Sequence, residues 1–226
     1  MHIAVLVTNT DESAFAQAWP KDGEKFPAMM RKVRPNWRFT SYQVKDGVFP
    51  KSLDGIDGVM ITGSPASVNS DAPWVAQLFE LIREIYAAEV PLVGACFGHQ
   101  AVAKALGGVV SRNPGGWVHG LVEVEMGADV LPLYASHIEQ VSRLPKGAEV
   151  IARGPGCPVG GFRIGRIMTT QYHPEMEPEF MAALVEELAD DLPAEVTRAA
   201  RASLVKPADM AGMAERMARF LEGKSA

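Results

Sequence analysis

Residues 90–100 read VPLVGACFGHQ, in which a short apolar run meets the pattern Gly-x-Cys-x-Gly and a segment of helical spacing begins. The apolar run predicts a buried strand, and the glycines on either side of Cys96 predict a turn too tight for side chains. A nucleophile elbow has this strand–turn–helix arrangement, with the reactive side chain at its centre. The stretch therefore indicates an α/β sheet with Cys96 at the end of one strand.

Short apolar runs alternate with helical segments along the rest of the chain, which favours an α/β fold with a mostly parallel open sheet flanked by helices. The predicted strands cover residues 3–7, 37–43, 58–62, 91–94, 108–111, 121–126, 149–153, 159–162 and 166–171, and the predicted helices cover 26–34, 72–88, 97–106 and 177–188. Turn clusters near residues 113–116 and 154–158 interrupt the alternation. A small antiparallel excursion is therefore expected around residues 112–171.

The length predicts one α/β domain at residues 1–190 and a C-terminal helical tail, residues 191–226, packed on the same domain. In this tail one helical face carries Met210, Met213, Met217 and Phe220. Flexible methionine side chains suit both a core and a protein contact. The alternative to internal packing is therefore an interface with a second subunit, which would make a homodimer.

Composition excludes several classes of function. The 22 Lys and Arg against 27 Asp and Glu give a net charge of −5, and a phosphate-binding surface needs concentrated basic residues, so no nucleic acid partner is expected. No apolar run approaches the roughly 20 residues that cross a bilayer, which predicts no membrane association. The two cysteines form no CxxC pair, and no HExxH or GxxxxGK[ST] pattern occurs. These features predict no metal, no cofactor and a cytoplasmic protein with reduced thiols.

Cys96 is the candidate nucleophile. A sulfur above the end of a parallel strand lies where open α/β sheets bind their ligands. The N-terminus of the following helix favours the thiolate, and the N–H of Phe97 points to where an oxyanion forms during attack on a carbonyl. A buried structural cysteine would explain Gly-x-Cys-x-Gly alone. The strand before it and the helix after it favour the catalytic interpretation.

A catalytic thiolate needs a base, and the base needs an orienting group. Among the five histidines, His173 is the strongest candidate because it follows a predicted strand and opens the sequence His173-Pro174-Glu175. Since proline fixes the backbone between them, Glu175 can orient the imidazole of His173. His99 is expected to brace the elbow, and His119 has no acidic neighbour in the sequence.

Four segments carry a family resemblance. Residues 94–100 (GACFGHQ) and 171–175 (QYHPE) resemble the two signatures of class I, triad-type glutamine amidotransferases. Residues 62–68 (TGSPASV) are similar to the oxyanion-strand loop of the stand-alone members, and residues 135–141 (ASHIEQV) to a stretch of the GMP-synthase-like branch. The resemblance covers about residues 1–190 and implies the flavodoxin-like fold of that family.

The resemblance implies a substrate and a role for each matching residue. The substrate would be glutamine or a related γ-glutamyl small molecule, which Cys96 would attack at the γ-carboxamide to form a thioester and release ammonia. His173 would protonate the leaving amine and then activate water, while Glu175 orients His173. The implied oxyanion hole comprises Gly63, Ser64 and Phe97, and the implied contacts to the α-amino and α-carboxylate groups are Gln100, Ser136 and His137.

Two departures from the family pattern leave the substrate open. Residues 117–120 read WVHG where related members carry Glu-x-Gly, and Glu139 stands where they carry Asp.

Residues 191–226 are too few for a synthetase, so an acceptor for ammonia is expected on a separate synthase subunit, unless the chain only hydrolyses its substrate. A γ-glutamyl peptide hydrolase with the same triad, or a non-catalytic glutamine-binding regulatory module, is the alternative.

Overall fold

The structure is a computed structural model that describes residues 1–224. Within that range the strands are β1 (His2–Val7), β2 (Arg38–Gln43), β3 (Gly58–Ile61), β4 (Leu92–Ala95), β5 (Val109–Arg112), β6 (Val118–Met126), β7 (Asp129–His137), β8 (Glu139–Arg143), β9 (Glu149–Gly154), β10 (Cys157–Ile164) and β11 (Ile167–Thr170). The α-helices are α1 (Ala14–Gln17), α2 (Asp22–Val33), α3 (Pro73–Ala87), α4 (Phe97–Ala105), α5 (Pro178–Glu187), α6 (Ala194–Ser203) and α7 (Met210–Leu221).

The main sheet has nine strands in the order β2-β1-β3-β4-β11-β10-β9-β6-β7. Strands β2, β1, β3, β4 and β11 run parallel, whereas β10, β9, β6 and β7 continue the sheet as antiparallel pairs. A separate antiparallel pair joins β5 and β8. The predicted fold class is confirmed, and the antiparallel excursion is an extension of the main sheet.

The sequence patterns missed β7 as a strand. Pro132 interrupts its apolar run, and a proline usually argues against a central strand because it cannot donate to the ladder. In the structure β7 lies at the edge of the sheet, paired only with β6 within residues 1–224. An edge position tolerates this proline.

Each face of the parallel sheet is covered by helices. Side chains alternate along β1, so that Ile3, Val5 and Val7 face α2 and α7, while Ala4 and Leu6 face α3 and α4. These strands are therefore buried on both sides, as parallel sheets generally are. No helix within residues 1–224 is long and apolar enough to span a membrane.

The methionine face of the tail packs inside the chain. Met213 and Met217 on α7 are buried in the cluster that also contains Met29 and Met30 of α2. The guanidinium of Arg34 reinforces this contact by donating hydrogen bonds to the carboxylates of Glu215 and Glu222. The apolar face of α7 is thus occupied within one chain, and it is not a free surface for a second subunit.

Candidate active site

The turn between β4 and α4 is a strained elbow centred on Cys96. The backbone of Cys96 has φ +49° and ψ −104°, a conformation that non-glycine residues rarely adopt. A Cβ at Gly98 would lie 2.6 Å from the carbonyl oxygen of Ile61, and one at Gly94 would lie 2.8 Å from the carbonyl carbon of Gly98. Both glycines are therefore required by the close packing of α4 against the strand ends.

Cys96 and His173 lie at the ends of neighbouring parallel strands. Strands β4 and β11 pair in register, and the Cys96 N–H donates to the carbonyl oxygen of Thr170 at 2.8 Å. A Cβ at Gly63, in the turn after β3, would lie 3.0 Å from His173 Cε1 and 3.7 Å from Cys96 Cβ. The thiol, the imidazole and the turn after β3 therefore border one small space at the carboxyl edge of the sheet, where open α/β sheets bind ligands.

The second partner of His173 is Glu175. Their Nδ1 and Oε1 atoms are 2.8 Å apart, and the two side chains are only 6% and 2% exposed. Burial by itself lowers the pKa of His173, but the nearby Cys96 sulfur and the Glu175 carboxylate outweigh it and raise that pKa well above its ordinary value. The arrangement favours an imidazolium between two acidic groups.

The predicted oxyanion donors lie beside this pair. As the first residue of α4, Phe97 has an N–H without an intrahelical acceptor. Gly63 and Ser64 line the cleft above Cys96. Their turn is held by the hydroxyl of Thr8, which donates to the carbonyl oxygens of Thr62 and Gly63. These backbone groups converge near the sulfur from β3 and β4.

A cleft of about 430 Å³ opens over Cys96, His173 and Glu175. Of the predicted substrate contacts, Ser136 lines this cleft, whereas Gln100 and His137 are not among its lining residues. The amide nitrogen of Gln100 donates to the carbonyl oxygen of Glu139 at 2.7 Å and to Oε1 of Gln171 at 3.2 Å. Gln100 thus connects α4 to β8 and to Gln171, the residue after β11, and a contact of Gln100 or His137 with substrate stays a prediction.

Comparison with known families identifies the fold. The family model described as glutamine amidotransferase class-I matches residues 30–187. The chain belongs to the class I glutamine amidotransferases. The resemblance carried by the four sequence segments is thereby confirmed, and so is the predicted function class, hydrolysis of the γ-carboxamide of glutamine or of a related γ-glutamyl amide.

Several relatives of this amidotransferase are named for such activities. A glutamine amidotransferase-like protein of Schizosaccharomyces pombe is 28% identical over 83% of this chain and 84% of its own. Gamma-glutamyl peptidase 3 of Arabidopsis thaliana is 30% identical over 65% of this chain and 66% of its own. A glutamine-hydrolysing GMP synthase of Aeropyrum pernix is 34% identical over 56% of this chain but only 25% of its own.

The fold extends to solved structures. A glutamine amidotransferase from Thermotoga maritima superimposes with a TM-score of 0.74 at 22% identity and covers 98% of this chain and 96% of its own. The superposition thus includes α6 and α7, which lie beyond the residues matched by the family model. The whole architecture therefore recurs in that structure.

Two further histidines of this amidotransferase, His99 and His119, are held in contacts within the protein. His99 Nδ1 is hydrogen-bonded to Thr169 Oγ1, and burial followed by the nearby His137 lowers its pKa to about 3. Burial and the charge of His173 lower the pKa of His119, which contacts Ser136, to about 4. Neutral imidazoles at these positions agree with the interpretation that His99 braces the elbow.

Sequence reasoning missed one wall of the cleft. Asp22 and Lys25 on α2 line it, together with aromatic side chains from α1, from the following loop and from α5: Phe15, Trp19 and Phe180. Burial and the nearby Glu175 raise the pKa of Asp22. An acidic residue in the first turn of a helix is a common stabilising feature, so only the tertiary packing of Asp22 near Glu175 distinguishes it.

Proposed function

We propose that Cys96, His173 and Glu175 form the catalytic triad of this amidotransferase and hydrolyse the γ-carboxamide through a γ-glutamyl thioester. The observation that carries the proposal is the position of His173, whose ring lies beside Cys96 and is hydrogen-bonded to Glu175 at 2.8 Å. His173 thus lies between the proposed nucleophile Cys96 and the proposed orienting carboxylate of Glu175, which is the arrangement that acyl transfer requires.

The reaction has two balanced steps. The Cys96 sulfur attacks the γ-carbonyl carbon, and as the tetrahedral intermediate collapses the C–N bond breaks while His173 gives its proton to the departing nitrogen. Ammonia, or a larger amine, leaves. Water then attacks the thioester with His173 accepting a proton, which releases the γ-carboxylate and restores the thiol. The N–H of Phe97 and the backbone of Gly63 and Ser64 are the proposed oxyanion donors in both steps.

The proposed recognition of the glutamyl group uses Ser136 at the cleft, with Gln100 and His137 behind it. An acceptor for the ammonia is proposed on a separate synthase subunit, because the relative named GMP synthase is matched over only 25% of its length. A cytoplasmic location is proposed because the mechanism needs Cys96 as a reduced thiol, and both cysteines are free in the structure.

A second candidate function is the hydrolysis of γ-glutamyl peptides by the same triad. It is favoured by the 430 Å³ cleft, which falls within the range of about 300–1,000 Å³ for pockets that hold ligands larger than glutamine. The similarity to gamma-glutamyl peptidase 3 supports it as well. The alternative to both hydrolytic functions is a non-catalytic module that binds glutamine.

Mass spectrometry of the intact protein tests the proposal. A glutamine-mimicking electrophile is expected to add once to the wild type and to Cys157→Ser, but not to Cys96→Ala. Cys157 is the matched control because burial raises its pKa to about 12 and makes it unreactive. Ammonia release by Cys96→Ala at the wild-type rate would refute the triad, and binding of glutamine without turnover by wild type would favour the regulatory module.

A further inference from the structure

The lining of the cleft over Cys96 includes three aromatic rings. Trp19 meets Phe180 edge-to-face with ring centroids 5.4 Å apart, and Phe15 lies 5.7 Å from Phe180. Phe15 and Trp19 are only partly buried, and all three rings line the cleft. We call Phe15, Trp19 and Phe180 the aromatic wall. Partly exposed rings clustered in a pocket present apolar area to a ligand.

Lys25 lies next to the aromatic wall. The side chain of Lys25 is 12% exposed, and its Nζ lies 3.5 Å from the centroid of Phe180. Its nearest carboxylate oxygen within residues 1–224 is Oδ1 of Asp22 at 3.6 Å, which is longer than a hydrogen bond. Because burial and Glu175 raise the pKa of Asp22, that carboxylate is a weakened counter-ion for Lys25.

The other cleft lysine with a largely covered side chain is already paired. Lys45 Nζ lies 2.8 Å from Glu12 and 2.9 Å from Asp46. Lys21 also lines the cleft, but its side chain is exposed and its Nζ donates to the carbonyl oxygen of Ala16 at 2.9 Å. Among the described cleft lysines with covered side chains, Lys25 is therefore the one whose donors remain available to a ligand. Asp22 also links it to the reacting groups, because Asp22 contacts Lys25 on one side and is close enough to Glu175 for their charges to interact.

Two groups of lining residues differ in chemistry. The turn after β3 carries the proposed oxyanion donors Gly63 and Ser64, and β7 carries the proposed glutamyl contact Ser136. The aromatic wall and Lys25 come from α1, α2, α5 and the loop before α2, and no part of the glutamyl group is assigned to them. A ligand that reaches the aromatic wall would place an apolar group on these rings and a hydrogen-bond acceptor near Lys25.

We infer that the aromatic wall and Lys25 form a leaving-group subsite that selects γ-glutamyl dipeptides whose second residue is aromatic and has a free carboxylate. This inference rests on the proposed function and names its substrate class. The aromatic side chain packs on Phe15, Trp19 and Phe180, while the carboxylate accepts hydrogen bonds from the Lys25 ammonium. Glutamine uses only the proposed glutamyl contacts.

A substrate series tests the subsite. Burial of an aromatic ring is expected to raise kcat/KM for γ-glutamyl-phenylalanine about 10- to 100-fold above that for γ-glutamyl-glycine. γ-Glutamyl-phenethylamine, which lacks the carboxylate, is expected to fall about tenfold below γ-glutamyl-phenylalanine. Equal kcat/KM values for the phenylalanine and glycine dipeptides would overturn the aromatic part of the inference.

Variants separate the ring from the charge. Lys25→Met is expected to abolish the difference between γ-glutamyl-phenylalanine and γ-glutamyl-phenethylamine, whereas Trp19→Leu reduces the preference for phenylalanine over glycine. Lys32→Met is the matched control on the same helix, since Lys32 is 62% exposed and pairs with Glu177. A carboxylate preference that survives Lys25→Met, or that Lys32→Met removes equally, would overturn the role of Lys25.

Binding to Cys96→Ala distinguishes failure of the subsite from failure of the proposed function. Calorimetry with this variant is expected to show tighter binding of γ-glutamyl-phenylalanine than of γ-glutamyl-glycine by about the same factor as kcat/KM. Tighter binding without turnover by the wild type would refute the proposed hydrolysis and retain the subsite. Turnover of both dipeptides with equal affinities would retain the hydrolysis and refute the subsite.

Discussion

Replacement of Glu175 by Gln removes one charge from the centre of the site with little change in shape. Unit charges 2.8 Å apart attract by about 6 kcal/mol at an effective dielectric constant of about 20. Each 1.36 kcal/mol corresponds to a factor of ten in rate. Complete loss of the attraction between Glu175 and an imidazolium at His173 would therefore lower kcat by at most about 10⁴-fold. Since the amide retains a hydrogen bond to His173, we expect kcat to fall by about 10³- to 10⁴-fold.

The assay is ammonia release from glutamine, or amine release from the γ-glutamyl dipeptides, with thermal unfolding measured in parallel. Glu177→Gln is the matched control, because Glu177 follows two residues later and its side chain is 54% exposed. We expect this control to keep near wild-type activity. A folded Glu175→Gln enzyme that retains more than about a tenth of kcat would refute the assignment of Glu175 as the orienting group.

Three further predictions concern the elbow and the buried carboxylate. Because of the positive φ at Cys96, Cys96→Gly should be more stable than Cys96→Ala by about 1–2 kcal/mol in urea unfolding, with both inactive. Gly98→Ala places a Cβ 2.6 Å from the Ile61 carbonyl oxygen, so it should cost about 1–3 kcal/mol and lower kcat; unchanged stability would contradict the packing described. The pKa of Asp22 is raised in the folded state, so its carboxyl group is harder to ionise in the folded chain than in the unfolded one. The free energy of unfolding therefore falls as the pH rises through that folded pKa. Asp22→Asn should therefore raise the melting temperature at pH 8 and lose this advantage below about pH 4, near the unfolded pKa; the same gain at both pH values would exclude ionisation of Asp22 as its cause.

The elbow was predictable because its causes are local. Glycines two positions before and after Cys96 are required by contacts that the turn itself creates, and the apolar run before it identifies β4. His173 and Glu175 were predictable for the same reason, since proline between them fixes their relative positions. That β4 and β11 are neighbours follows from topology, and the family resemblance supplied it rather than the residues alone.

The rest depends on tertiary contacts that no local pattern carries. Asp22 and Lys25 occupy ordinary positions in the first turns of a helix, and their place in the cleft appears only when α2 packs against β1 and α7. Helix α1 has four residues, too few for a periodic signal. Nothing local to the motif predicts that the amide nitrogen of Gln100 donates to Glu139 and Gln171, and a contact of Gln100 with substrate stays a prediction.

The proposed reacting groups and the aromatic wall belong to different parts of the fold. Cys96, His173 and Gly63 follow central strands fixed by ladder hydrogen bonds on both sides, while Phe15, Trp19 and Phe180 belong to peripheral helices and loops. Under the proposed function, substitutions in the aromatic wall are therefore expected to change which amine is released while the relative positions of Cys96 and His173 stay constant.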